Sequence, residues 1–129
     1  YAKDLQNVSF LGNRPNVWEY LRLADYFVSS SKAEGMPNAA LEALASGLPV
    51  LLSDIPSHQE ILSLSPKAGR LFDLDDSTSF MQAIDDLVNT PGLDTNARTL
   101  VEKYFSADVM SAHYQRLYRR LICELSEER

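Results

Sequence analysis

The sequence predicts an α/β protein, a parallel sheet flanked by helices and followed by a helical tail. Three observations carry this reading. Short apolar runs alternate with segments whose apolar residues recur at helical spacing, as in strand–helix–strand units. The run VLLS (Val50–Ser53) is nearly all apolar, as expected of a strand covered on both faces. After the last strand-like run only helical patterns remain.

Each element has its own local reason. Residues 8–11 (VSFL) read as a first strand closed by Gly12, and Val17, Leu21 and Ala24 then follow at helical spacing. Residues 26–29 (YFVS) are rich in aromatic and β-branched side chains and read as a second strand. Pro37 suits the first turn of a helix, where its missing N–H would be unpaired anyway, and Gly47 with Pro49 ends that helix. Leu41, Leu44 and Leu48 mark its buried stripe. Val50–Ser53 is the third strand and Gly69–Phe72 the fourth. Asp75, Asp76 and Ser77 supply caps for a helix on which Phe80, Ile84, Leu87 and Val88 share a face. Helical patterns over 95–104 and 107–124 complete the chain.

Composition excludes several classes of function. A chain of 129 residues with 45% hydrophobic content fits one domain, and no apolar run nears the roughly 20 residues that span a bilayer. The formal net charge of −6 opposes a sequence-independent grip on nucleic acid or anionic lipid, so no nucleic-acid partner is expected. Cys123 is the sole cysteine, which excludes an intrachain disulfide and makes a cytoplasmic location the expectation. The opening YAKDLQNVSF lacks the apolar core and cleavage site of a secretory signal. It also lacks an initiator methionine, which fits a processed chain or a piece of a longer one.

The stretch AEGMPNAALEALASGLPVLLSD, residues 33–54, is the candidate site. In open parallel sheets, ligands bind beyond the carboxyl ends of the strands, where helix N-termini present free N–H groups. With Pro37 near the first helical position, the N–H groups of Asn38, Ala39 and Ala40 have no intrahelical partners and sit at the positive end of the helix dipole. Small side chains at 39 and 40 leave room for a phosphate. Glu42, four residues after Asn38, shares its helix face one turn further in. A carboxylate there can accept two hydrogen bonds from a diol such as a ribose, while Glu34 faces the group on the other side of the phosphate. That arrangement suits a nucleotide joined to a sugar. Without the surrounding pattern, both glutamates would read as ordinary solvated surface.

The spacing of Glu34 and Glu42 inside S-x-x-x-E-G-x-P-x-x-x-x-E-A-x-A-x-G-x-P-V resembles the E-x7-E signature of retaining GT-B glycosyltransferases, above all glycosyltransferase family 4. The resemblance extends through VSFLG, LADYFVSS, SDIPSHQEI, AGRLFDLDD and YQRLY, nearly the whole chain. It implies a Rossmann-like C-terminal subdomain that binds a nucleotide-diphosphate sugar, with residues 1–129 as one partial domain. The position matching Glu34 bonds hydroxyls of the donor hexose and is the catalytic candidate. Gly35, Met36, Pro37 and Asn38 lie along that sugar, the N–H groups of Ala39 and Ala40 meet the diphosphate, and Glu42 holds the ribose. Gly12, Asn13 and Arg14 flank the base. The reaction retains anomeric configuration, and the departing phosphate helps to deprotonate the acceptor.

The family's subdomain opens with two further strands, whose first loop contributes an Arg and Lys pair to the diphosphate, and the chain begins after both. An N-terminal domain with the acceptor site and the family's histidine is the expected missing partner. The resemblance therefore implies transfer of a hexose to a glycan or lipid-linked acceptor by the parent, in polysaccharide biosynthesis, and none by this stretch alone. With those strands absent, residues 8–11 are expected to pair directly with residues 26–29, giving four parallel strands in chain order through right-handed crossovers. The competing arrangement is a dimer in which a strand of a second copy fills the open edge.

Other residues read more plainly. His58 and His113 stand apart from any nucleophile or metal-ligand spacing and read as surface or capping histidines. Asp73, Asp75 and Asp76 stand where a helix begins, so capping explains them, and neither a metal nor another cofactor is expected. Cys123, within LIC, reads as a core residue. The tail SAHYQRLYRRLICEL sets Leu117, Leu121, Ile122 and Leu125 beside Arg116, Arg119 and Arg120. Packing against the domain is the favoured reading, with docking of the parent on the inner face of a membrane as the alternative. Two other functions remain open. A nucleotide-sugar epimerase of the same fold would carry its catalytic acids and bases elsewhere. A non-catalytic α/β module resembling a receiver domain would need an acidic pair where Leu11, Gly12 and Asn13 stand.

Overall fold

A computed structural model describes residues 5–127, so the expected domain bounds at Tyr1 and Arg129 lie outside the described residues. Helices and strands alternate as α1 (Val17–Leu21), β1 (Phe27–Ser29), α2 (Asn38–Ala45), β2 (Val50–Ser53), α3 (Pro56–Leu64) and β3 (Gly69–Phe72). Three helices follow, α4 (Ser77–Asn89), α5 (Leu93–Tyr104) and α6 (Ala107–Glu127). The strands form one parallel sheet in the order β1-β2-β3, with Phe27 opposite Val50 and Val50 opposite Gly69. The expected α/β class, with its helical C-terminal segment, is what the structure shows.

The apolar run of β2 is explained by its place in the sheet. It is the central strand, and all four of its residues are buried. Because side chains alternate along a strand, Val50 and Leu52 face one layer and Leu51 the other. Val50 and Leu52 join Ala43 and Leu44 of α2, Ile61 and Leu62 of α3, and Ala97 and Leu100 of α5. Leu51 packs with Phe72, Leu93 and the α4 residues Ala83 and Leu87. The Phe72 and Phe80 rings meet edge-on, with centroids 4.9 Å apart. Burial of this kind contributes about 25 cal/mol for each Å² of apolar surface removed from water.

Helix ends follow their local chemistry. Asp76 caps α4 by accepting from the Thr78 N–H at 2.8 Å. Pro37 takes the N-cap position of α2, one residue earlier than expected, and its carbonyl accepts from the Leu41 N–H at 3.1 Å. At the other end Gly47 adopts φ +88°. The Gly47 N–H then bonds the Leu44 carbonyl and the Leu48 N–H bonds the Ala43 carbonyl, both at 3.0 Å, closing a Schellman motif.

Several expectations are corrected. Residues 8–11 form no strand, and Phe10 is 71% exposed. A parallel partner needs a crossover that packs on the sheet, and α1 has five residues and buries none of them. The sheet therefore has three strands, and the edge of β1 facing away from β2 is unpaired among the described residues. On α4, Val88 is 55% exposed, and Ala83 takes its place in the stripe with Phe80, Ile84 and Leu87. α3 was not foreseen, although Pro56 at its first position and the inward spacing of His58, Ile61 and Leu62 mark it.

The tail helix does not pack along the domain. Beyond Val109 the described side chains of α6 are exposed, including Tyr114, Leu117, Leu121 and Ile122. Cys123 is exposed as well, not a core residue. The side chain of Leu125 lies outside the described residues. Among the described residues no helix is long and apolar enough to cross a membrane.

Candidate functional site

The strands end at Ser29, Ser53 and Phe72, so the loops that follow them share one end of the sheet. Glu34 stands in the loop from β1 to α2, and Glu42 stands in the second turn of α2. Both carboxylates are exposed. Between them Gly35, Met36, Asn38 and Ala39 are exposed, while Pro37 and Ala40 are buried and seat the turn on the core. The Asn38 N–H is taken by the Met36 carbonyl at 2.9 Å. The N–H groups of Ala39 and Ala40 have no hydrogen bond among the described residues, so they are the donors left at this helix end.

Gly12, Asn13 and Arg14 are exposed, with Gly12 at φ +65°. Among the described residues no hydrogen bond or ion pair ties them to the segment from Glu34 to Glu42. A cavity of about 480 Å³ is lined by Arg22, Asp25, Gly47 and Pro49 among others. These residues precede β1 and β2, so the cavity opens at the amino ends of the strands and contains none of the predicted site residues. Ligands of open parallel sheets bind at the carboxyl ends of the strands, the end away from this hollow.

Sequence reasoning missed the polar residues behind Glu34. Ser31 donates its hydroxyl to Glu34 Oε1 at 2.5 Å, and the Ser31 carbonyl accepts from Ser53 Oγ at 2.5 Å. His58 is fully buried, neither a surface nor a capping residue, and its Nδ1 lies 2.9 Å from the Ser53 carbonyl. A carbonyl only accepts, so Nδ1 carries the proton. The missed signal was α3 itself, whose inward spacing turns His58 into the sheet. His113 is exposed, as expected. Asp73 accepts from the Asp75 N–H at 2.9 Å in the turn before α4, and of the three carboxylates it is Asp76 that caps the helix.

The parallel sheet with its flanking helices resembles a GT-B glycosyltransferase domain, a likeness carried by a solved structure. A structure of sucrose-phosphate synthase from Thermosynechococcus elongatus superposes with a TM-score of 0.68 at 27% identity, covering 81% of this chain and 27% of that one. The family described as glycosyl transferases group 1 matches residues 1–90, and the chain belongs to it. A lipopolysaccharide core biosynthesis mannosyltransferase of Rhizobium meliloti (strain 1021) is 27% identical over 121 residues, 87% of this chain and 34% of that protein. A UDP-Gal:alpha-D-GlcNAc-diphosphoundecaprenol alpha-1,3-galactosyltransferase of Escherichia coli is 38% identical over 74 residues, 57% of this chain and 19% of that protein. The chain thus spans about a third or less of the length of these relatives.

Proposed function

We propose that this chain is the donor-binding part of a retaining glycosyltransferase of family 4, which transfers a hexose from a nucleotide diphosphate to a glycan or lipid-linked acceptor. One observation carries the reading: Glu34 and Glu42 flank a helix start at the carboxyl end of β1, where the Ala39 and Ala40 N–H groups are unpartnered among the described residues. The two N–H groups meet the diphosphate, whose charge the helix dipole favours. Glu42 accepts from the ribose diol. Glu34, with Gly35, Met36, Pro37 and Asn38 beside it, orients the hexose so that the anomeric carbon faces the acceptor, and orientation lowers the barrier most in the transition state. Gly12, Asn13 and Arg14 flank the base. The departing phosphate takes the acceptor's proton on the face it leaves.

The same reading makes residues 1–129 part of a larger domain. The edge of β1 is unpaired among the described residues, and Leu23, Tyr26 and Val28 in and before that strand are exposed, as expected where further strands would pair. The length of the relatives supports this, and the acceptor site belongs to the remaining part. An NMR determination of anomeric configuration in the intact enzyme's product tests the reading. Retention of the donor's configuration is expected, and an inverted product would contradict it.

A further inference from the structure

We propose that Ser31, Ser53 and His58 form a chain of positioning residues that holds the carboxylate of Glu34, an inference that rests on Glu34 acting at the donor sugar. The members come from separate stretches: the loop after β1, the last residue of β2 and the first turn of α3. Each hydrogen has one place to go. Ser31 Oγ accepts from Ser29 Oγ at 3.3 Å, so its own proton goes to Glu34 Oε1 at 2.5 Å. Ser53 Oγ spends its proton on the Ser31 carbonyl at 2.5 Å. It therefore faces His58 Nδ1, 3.3 Å away, with a lone pair, and the imidazole N–H serves that oxygen and the Ser53 carbonyl together.

Burial separates the anchor from the part it holds. Ser53 and His58 are 0% exposed, whereas Glu34 is exposed. A free glutamate side chain samples many rotamers, and fixing it costs free energy that a preformed hydrogen bond offsets before the ligand arrives. The anchored end is set in a close-packed core and cannot shift alone. Oε1 is committed, while Oε2 has no partner among the described residues and remains for a sugar hydroxyl.

The choice of histidine supports the same role. His58 Nε2 is buried with no hydrogen-bond partner among the described residues, a cost that an apolar side chain of similar size would not carry. What histidine adds at this position is the Nδ1 bond to Ser53.

Steady-state release of nucleoside diphosphate from UDP-galactose or GDP-mannose by the intact enzyme tests the proposal, with folding checked by circular dichroism. Ser31→Ala should lower kcat about tenfold or more, the weight of one hydrogen bond to a charged group, and leave KM within about twofold. Ser31→Thr, which keeps the hydroxyl, should restore most of the loss. His58→Asn places a donor where Nδ1 stands and should stay near wild type, whereas His58→Gln, whose amide reaches the Nε2 position, should fall with Ser31→Ala. In a Glu34→Gln background, Ser31→Ala should have little further effect. If Glu34→Gln lowers kcat while folded Ser31→Ala does not, or if Ser31→Ala costs the same in both backgrounds, the positioning chain is refuted. If neither donor is turned over, or Glu34→Gln itself leaves kcat unchanged, the failure belongs to the functional reading beneath it. Should the His58 variants not fold, the two Ser31 variants decide alone.

Discussion

Gly69 stands so close to Val50 that a Cβ at position 69 would lie 2.3 Å from the Val50 carbonyl oxygen. The two residues are opposite one another in the β2–β3 ladder, so the added methyl meets the Val50 backbone, a clash that no rotamer relieves. Gly69→Ala should destabilise the fold by about 2 kcal/mol or more, as overpacking in a core does. Urea denaturation measures this, and a midpoint equal to that of the wild type would show that β3 can shift away from β2.

The cap at Asp76 gives a smaller effect. Its carboxylate accepts from the Thr78 N–H at 2.8 Å at the exposed start of α4. Asp76→Ala should cost about 1 kcal/mol and Asp76→Asn much less, since both Asp and Asn cap well. The same denaturation series separates the two variants.

Gly47 closes α2 in the left-handed region at φ +88°. Alanine there meets only Arg98 Nη2 at 3.9 Å, so the penalty is conformational and not steric crowding. Gly47→Ala should lower stability by about 1 kcal/mol. A loss as large as that of Gly69→Ala would mean that the Leu48 N–H bond to Ala43 is broken as well.

Much of this fold was legible because burial leaves a pattern in the residues themselves. VLLS reads as a central strand since both of its faces are covered, and Asp76 reads as a cap since its chemistry is local. The acidic pair around Pro37 is contained in one short stretch, so its spacing needs no fold to be seen, while its role is the proposal made above. What was missed depends on surroundings. VSFL has strand composition, yet a strand needs a neighbour, and the short α1 cannot deliver one. Cys123 and Val88 are apolar residues that the fold leaves exposed. His58 was misread because a histidine carries no sign of burial, and its partner Ser53 lies on another element. The bond from Ser53 to Ser31 spans 22 positions of sequence and is visible only once β1 and β2 lie side by side.

The central claim is that the turn between Glu34 and Glu42 holds a nucleotide-diphosphate sugar, and calorimetric titration of the intact protein with UDP, GDP and ADP tests it most directly. One of the three should bind, and Glu42→Gln should weaken that affinity by roughly 1.5–3 kcal/mol, the range for hydrogen bonds to a charged group, with stability unchanged. An undiminished affinity in the folded Glu42→Gln protein would remove the α2 face from the donor site and contradict the account.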